Sequence, residues 1–194
     1  MVRRRWDDAE HLEPPVVLGE AWATDECATT AALSGLGPEW VVLSDLAWPG
    51  RTELGIDHVV LGPTGVFAIT TQAWTGAVRL NCGVLEQNGR PQPHVTADLT
   101  EAASAVSTLM GTTVQPVLCL TGRRVAGRAG QVVVCSTYGL VPMLESRASA
   151  LAAEDLQRLG SDLRRQLTTP QALRARADRR SSFRLGGRRG SSTG

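Results

Sequence analysis

The chain has 194 residues, and its 20 basic side chains against 19 acidic ones give a formal net charge of +1. All 20 basic residues are arginine, so any mechanism that needs a lysine is excluded. A chain of this length forms one domain of ordinary size with a sizeable core. It contains no run of about 18 apolar residues, as a membrane span requires, and no apolar stretch of a signal peptide follows its basic start. We therefore expect a cytoplasmic protein without a membrane partner.

Charge is distributed unevenly along the chain. Residues 174–194 carry seven arginines against one acid, whereas residues 6–173 hold ten arginines and eighteen acids. The segment 170–194 is rich in Arg, Gly and Ser and has too few apolar groups to offset its ordering entropy, which predicts a disordered tail. Such a tail can hold a nucleic-acid backbone without reading sequence. The candidate binding residues are Arg174, Arg176, Arg179, Arg180, Arg184, Arg188 and Arg189. The alternatives are a solubilising end and a tail that folds back onto the acidic body.

The first predicted element is a helix over 19–36, where apolar side chains recur at spacings of three and four. Three runs with strand character follow it, separated by Gly- and Pro-containing turn signals that predict an antiparallel meander. These runs span 40–48, 56–61 and 66–71. A further hairpin is predicted from 78–80 and 84–86, closing at Asn88-Gly89.

In the second half, apolar positions from Val95 to Leu109 predict an amphipathic helix that begins past Pro93 and ends at Gly111. Two unbroken apolar runs, 114–120 and 131–135, are typical of strands buried on both faces, and the intervening segment 121–130 is predicted to be a loop. Pro116 is expected near the start of a strand or on a free edge. Helices over 138–145 and 151–167 complete an α/β fold with a mixed central sheet flanked by helices.

Polar side chains lie at two neighbouring strand ends of the first meander. Asp57 heads one strand, and Thr70, Thr71 and Gln72 end the next, so the antiparallel pairing should bring them side by side. This layout builds a metal site for phosphodiester cleavage when both ends carry carboxylates and a lysine. His58 alternates with Asp57 and is expected to face the opposite side of the sheet, as a packing or surface residue.

Three segments resemble the nuclease-related domain (NERD) family, a branch of the PD-(D/E)XK nuclease superfamily. They are Gly19-Glu20, the hairpin Ile-Asp-His-Val-Val-Leu-Gly-Pro-Thr-Gly-Val-Phe at 56–67, and Trp74-Thr75-Gly76. The similarity covers roughly residues 16–168. It implies a restriction-endonuclease-like core, with a domain at 16–169 between a lead-in at 1–15 and the tail at 170–194.

The resemblance also implies catalytic positions, two of which are replaced. Glu20 and Asp57 match the acidic positions, whereas Thr70 and Gln72 stand where family members carry an acid and a lysine. Threonine brings no charge to a metal, and glutamine is neither a cation nor a base. A pocket reduced to Glu20 and Asp57 should bind Mg²⁺ or Mn²⁺ weakly, if at all. Losing one electrostatic stabiliser typically costs about 10² to 10³ in rate.

We therefore expect a catalytically degenerate domain that needs no cofactor and serves as a nucleic-acid-binding or protein-interaction module. The alternative is an active, divergent DNA or RNA nuclease that uses Mg²⁺ or Mn²⁺. Structural interpretations also stay open, with Asp57 as a turn cap and Glu20 as a first-turn acid favoured by the helix dipole.

Two further groups of residues are expected to be structural. Cys119 and Cys135 lie in apolar runs and should be buried thiols, because none of the four cysteines forms the close pairs of a zinc or redox motif. Trp74 is expected to pack the rim of the sheet rather than stack a base. The segment 121–130 lacks the Gly-Lys-Ser/Thr of a phosphate-binding loop.

Overall fold

The computed structural model describes residues 25–44 and 56–167. Its helices are α1 (Asp25–Leu33), α2 (Pro93–Met110), α3 (Thr137–Glu145) and α4 (Ala153–Leu167). Its strands are β1 (Val41–Ser44), β2 (His58–Gly62), β3 (Gly65–Gln72), β4 (Val78–Asn81), β5 (Val84–Gln87), β6 (Arg90–Pro91), β7 (Val114–Leu120), β8 (Ala126–Ala129) and β9 (Val132–Ser136). Glu20, the lead-in at 1–15 and all seven tail arginines lie outside the described residues.

The main sheet has six described strands in the order β1-β2-β3-β7-β9-β8. The first three strands form the predicted antiparallel meander. β7 then runs parallel to β3, and β9 runs parallel to β7, with β8 as an antiparallel edge strand. A parallel return needs a crossover, and α2 lies in the connection from β3 to β7. The predicted α/β class with a mixed sheet is confirmed, and this architecture is consistent with a nuclease-like core.

The middle of the sheet is buried on both faces, as its unbroken apolar runs predict. All five residues of β9 are buried, as are six of the seven residues of β7. Pro116 is the third residue of β7, and the ladder to β9 begins only at Val117, opposite Val133. The proline therefore lies near the start of its strand, before the second ladder, as predicted.

Side chains on the two faces of β2 and β3 enter separate cores. Val59 and Leu61 pack with residues of α2 and α4, whereas Val60 and Phe67 pack with residues of α1 and α3. This alternation follows from the two-residue period of a strand. Full burial of each such side chain stabilises the fold by about 1.5–3 kcal/mol. The meander is therefore held from both sides, and its polar ends are placed by a rigid framework.

Strands β4, β5 and β6 form a second sheet that has no strand pairing with the main sheet. The two sheets nevertheless share a hydrophobic core. Leu85 packs in one cluster with Leu99, Leu118 and Leu120. The predicted hairpin of β4 and β5 is confirmed, but its turn is Cys82-Gly83, with φ values of 49° and 78°. Asn88-Gly89 makes a second turn, which leads into β6. Both turns have positive φ at two successive residues, which matches the twist of a tight hairpin.

Two predicted boundaries need correction. The segment 121–130 is not wholly a loop, because Ala126–Ala129 forms the short edge strand β8 against β9. The first helix ends at Leu33 rather than at 36, where Ser34 and Leu36 continue in a turn through N–H bonds to the carbonyls of Thr30 and Leu33. Within the described ranges, no helix is both long and apolar enough to cross a membrane.

Candidate functional site

Asp57 lies directly before β2 and contacts the end of β3. Its backbone N–H donates to the carbonyl of Ile69 at 2.9 Å, and its Oδ2 accepts the backbone N–H of Thr71 at 2.6 Å. The predicted proximity of Asp57 to residues 70–72 is therefore confirmed. A hydrogen bond to an ionised acceptor is short and strong. The half-buried carboxylate of Asp57 thus stabilises the end of the hairpin by binding the backbone of β3.

His58, the first residue of β2, has a structural role, as expected. Its side chain is fully buried, and its Nδ1 lies 2.9 Å from the hydroxyl oxygen of Ser44. Ser44 is its register partner in β1. The imidazole therefore joins the first two strands through a side-chain hydrogen bond, in addition to the backbone ladder.

Gln72 occupies the position at which the resemblance implies a lysine. Its Oε1 accepts the indole N–H of Trp74 at 2.5 Å. Trp74 packs against the core cluster that contains Leu118 and Leu120, so the predicted rim-packing role of this tryptophan is confirmed. Arg123 completes the arrangement, because its Nε donates to the backbone carbonyl of Trp74 at 3.0 Å. The amide of Gln72 is therefore part of a packed, hydrogen-bonded unit.

Thr70 and Thr71 extend towards opposite faces of β3, as alternate residues of a strand do. The hydroxyl of Thr71 donates to the hydroxyl oxygen of Thr29 on α1 at 3.0 Å. Thr71 therefore faces α1, and Thr70 shares the other face with Gln72. The half-buried Thr70 lies opposite Leu118 in the ladder to β7.

Hydroxyl and thiol groups continue from Thr71 into the sheet. The hydroxyl of Thr29 donates to Sγ of Cys119 at 3.7 Å, and Cys119 lies 4.0 Å from the hydroxyl oxygen of Thr137. Cys119 and Cys135 are register partners on the parallel strands β7 and β9. Both thiols are free and buried, as predicted. Their pairing was not foreseen, because a spacing of 16 residues matches no motif and only the crossover brings them together.

The two paired thiols differ in acidity. The hydrogen bond with the Cys135 thiol lowers the pKa of Cys119, and the hydroxyls of Thr29 and Thr137 lower it further, against burial and the charge of Asp57. The same thiol–thiol hydrogen bond, together with burial, raises the pKa of Cys135 well above its ordinary value. Cys119 is therefore the thiol that loses its proton first.

A cleft of about 480 Å³ opens beside this group, between α1 and α3. It is lined by Ala28, Ala32, Thr121, Gly122, Thr137, Tyr138 and Val141. Tyr138 is 77% exposed, and the guanidinium of Arg124 lies 5.9 Å from the centre of its ring. From the sequence, Tyr138 is predicted only to begin a helix. The sequence does contain a signal that could have indicated the cleft. Residues 102–144 contain three arginines and no acid, and the single tyrosine of the chain lies within this segment.

Metal ligands are sparse in the described part of the chain. Among residues 25–44 and 56–167, no group of three or more His, Cys, Asp or Glu side chains is arranged to hold a metal ion. Asp57 is the described member of the predicted metal pair, and its partner Glu20 lies outside these ranges. The proposed weak metal site at Glu20 and Asp57 therefore stays a prediction.

One comparison with known proteins identifies a family. The family model for the nuclease-related domain matches residues 19–121, which is 103 of the 194 residues. No curated protein and no solved structure matches the chain. The matched range includes Asp57, Thr70 and Gln72 and ends at Thr121, so β8, β9 and the helices α3 and α4 lie beyond it. The domain bounds 16–169 stay a prediction.

Proposed function

Since the chain belongs to the nuclease-related domain family, its function is nuclease-related, and we propose that it is a catalytically degenerate member that binds nucleic acid. The observation that carries this proposal is the hydrogen bond from the Trp74 indole to Oε1 of Gln72. A lysine ammonium has three donors and no acceptor, so a lysine at position 72 cannot accept this bond. The position is built around an amide.

The chemistry of the strand ends supports the loss of catalysis. Thr70 brings no charge, Gln72 brings neither a cation nor a base, and the chain has no lysine that could replace it. Preorganised charge at the reacting phosphate is the main contribution of a protein to phosphoryl transfer. Two replaced positions therefore remove most of the rate enhancement, although their effects do not add independently.

The interaction of Asp57 with Thr71 supports the same conclusion. One carboxylate oxygen accepts a backbone N–H, which is the geometry of a residue that caps a turn or strand end. Mg²⁺ keeps several of its waters and relies on one or two carboxylates plus substrate phosphates. A carboxylate oxygen engaged in this way is a weaker ligand for such an ion.

Binding is assigned chiefly to the seven arginines of residues 174–194. Each arginine that neutralises a phosphate releases a counterion, and the logarithm of the affinity for a single strand then falls with the logarithm of salt at about −0.7 per contact. We expect tight, non-specific binding at low salt and steep weakening as salt rises. The matching experiment compares the full chain with a chain ending at residue 173, by fluorescence anisotropy of labelled DNA and RNA over a salt series.

The shortened chain should lose most of the affinity and most of the salt dependence. Equal affinity for both chains would contradict the assignment to the tail. No binding by the full chain at low salt would overturn the binding function itself and would favour a protein partner for the module.

An active, divergent nuclease is the second candidate, favoured by the retention of Asp57 at the strand end. It requires Mg²⁺ or Mn²⁺ held by Asp57, Glu20 and recruited polar groups. Calorimetric titration of the full chain with Mn²⁺, with and without a single-stranded DNA, tests this candidate directly. Heat of binding that disappears in Asp57→Asn would favour the nuclease, and its absence in both titrations would reject it.

A further inference from the structure

The cleft between α1 and α3 has the dimensions and lining of a small-ligand subsite. Ala28 and Ala32 are one helical turn apart on α1, and Gly122 follows β7, so small residues leave the space open. Thr121, Thr137 and Tyr138 add hydroxyl groups to a wall whose other residues are small or apolar. A volume of about 480 Å³ falls in the range of small-molecule sites.

An aromatic ring is held at this cleft without being buried. Tyr138, in the first turn of α3, exposes 77% of its surface, although most of the large hydrophobic side chains described are packed. Arg124 lies over the ring at 5.9 Å, close enough for a cation–π interaction. Exposed rings next to guanidinium groups are the platforms on which proteins stack single-stranded bases.

The charge of the surrounding segment favours an anionic ligand. No acidic residue occurs between Glu101 and Glu145, whereas Arg123 and Arg124 lie three and four residues after Leu120, the last residue of β7. Arg123 is held in place by its bond to the carbonyl of Trp74. The body of the protein is acidic as a whole, so this stretch is a local exception and not part of a general positive surface.

The cleft is also joined to the strand ends that carry the degenerate positions. The backbone N–H of Thr121 donates to the carbonyl of Gln72 at 3.1 Å. On the other side, Thr137 contacts Cys119, which accepts the hydroxyl of Thr29, the partner of Thr71. The cleft is therefore connected to the end of β3 through the backbone of Gln72 and through the hydroxyl of Thr71.

We propose that this cleft is a nucleotide subsite for single-stranded nucleic acid. One base stacks on the ring of Tyr138, its edge reaches the hydroxyls of Thr121 and Thr137, and the flanking phosphates lie against Arg123 and Arg124. A duplex cannot bind in this way, because its bases are already stacked within the helix. The inference rests on the proposed nucleic-acid-binding function and adds a body-located site with strand selectivity, which the tail lacks.

The test measures binding of the full chain to a labelled single-stranded oligodeoxythymidine and to a duplex of equal length. The salt concentration is chosen to weaken the binding of nucleic acid by the tail. Tyr138→Ala is compared with Tyr138→Phe, which keeps the ring, and with Val84→Ala. Val84 is an exposed apolar side chain on β5, which contributes no residue to the cleft, and so serves as the matched control. Circular dichroism verifies that each variant is folded.

We expect Tyr138→Ala to weaken binding of the single strand about tenfold, which corresponds to the loss of one stacked base, and to leave duplex binding unchanged. Tyr138→Phe and Val84→Ala should bind as the wild type does. If Tyr138→Ala binds the single strand as tightly as the wild type, the cleft is not a base site, although binding through the tail survives. If the wild type binds neither probe at low salt, the proposed function itself fails.

Discussion

Two neighbouring regions of the protein use their polar groups differently. One is the hairpin site, formed by Asp57, Thr70, Gln72 and Trp74, and the other is the cleft beside Tyr138. In the hairpin site, Asp57 accepts a backbone N–H and Gln72 accepts an indole N–H. In the cleft, a tyrosine ring is exposed and small residues leave space. Groups that satisfy one another stabilise the fold, whereas exposed groups beside open space are available to a ligand. Substitutions in the two regions should therefore have opposite signatures in stability and in binding.

The largest effect on stability is expected for Asp57→Ala. The substitution removes the charged acceptor of the hydrogen bond that the backbone N–H of Thr71 donates. Loss of this bond should lower the free energy of unfolding by about 1.5–3 kcal/mol. Asp57→Asn keeps an acceptor oxygen and should lose less. Urea denaturation of the three proteins measures the difference. Unchanged stability in Asp57→Ala would mean that the carboxylate does not stabilise the fold and is available to a ligand. The hairpin site would then be a binding site, as the cleft is proposed to be.

A smaller loss is expected for Gln72→Lys, although it introduces the residue type that the resemblance implies at this position. The ammonium cannot accept the Trp74 indole N–H, and a half-buried donor without its partner costs about 1–2 kcal/mol. Gln87→Lys is the matched control, because the Gln87 side chain makes one exposed hydrogen bond, to the carbonyl of Thr75. The control should change stability by less than about 0.5 kcal/mol. Equal denaturation midpoints for the two variants would show that Gln72 is not built into the fold.

The buried thiols lie between the two regions and allow a test by pH. Because the hydrogen bond with Cys135 lowers the pKa of Cys119, removing that bond in Cys135→Ala should raise it. The titration midpoint of Cys119 should therefore move to higher pH, and each pH unit below the midpoint means about tenfold less thiolate. Because Cys119 is fully buried, the profile is read without a reagent, from the ultraviolet absorbance of the thiolate over a pH series. Subtracting the profile of a Cys119→Ser variant in each background removes the other titrating groups, and an unmoved Cys119 profile would refute the thiol–thiol hydrogen bond.

The smallest effect on stability is expected in the cleft. Tyr138 is mostly exposed, so Tyr138→Ala should change the free energy of unfolding by no more than about 0.5 kcal/mol while it weakens single-strand binding. Urea denaturation alongside the binding assay gives both numbers for one protein preparation. A loss of stability comparable with that of Asp57→Ala would make Tyr138 a structural residue and would remove the contrast between the two regions.

Local patterns in the sequence predicted most of the fold and part of the hairpin site. Apolar periodicity located α2 and α4, and turn residues located the β1–β2–β3 meander. The proximity of Asp57 to Thr71 followed because a hairpin with a short turn fixes which residues face each other. The edge strand β8 was missed because Ala126–Ala129 contains a glycine and an arginine and lacks apolar alternation. Its strand form comes from pairing with β9, which is a tertiary effect.

The cleft and the thiol pair were not predicted, for a related reason. Tyr138 lines the cleft together with Ala28 and Thr121, which come from a helix distant in the sequence and from the end of another strand. Cys119 and Cys135 meet because β7 and β9 run parallel in one register. Such long-range neighbours depend on crossovers and register, which residue spacing alone does not encode. The hydrogen bond between Gln72 and Trp74 was also missed, although the two residues are close in sequence, because side-chain direction decides it.

The central claim is that the protein binds nucleic acid without cleaving it. The most direct measurement incubates the full chain with an end-labelled single strand and with supercoiled plasmid, in Mg²⁺ and separately in Mn²⁺. Native gels report binding, and denaturing gels report cleavage. We expect a shifted complex with an intact strand and unnicked plasmid. Cleavage products that form with the wild type and disappear with Asp57→Ala would contradict it.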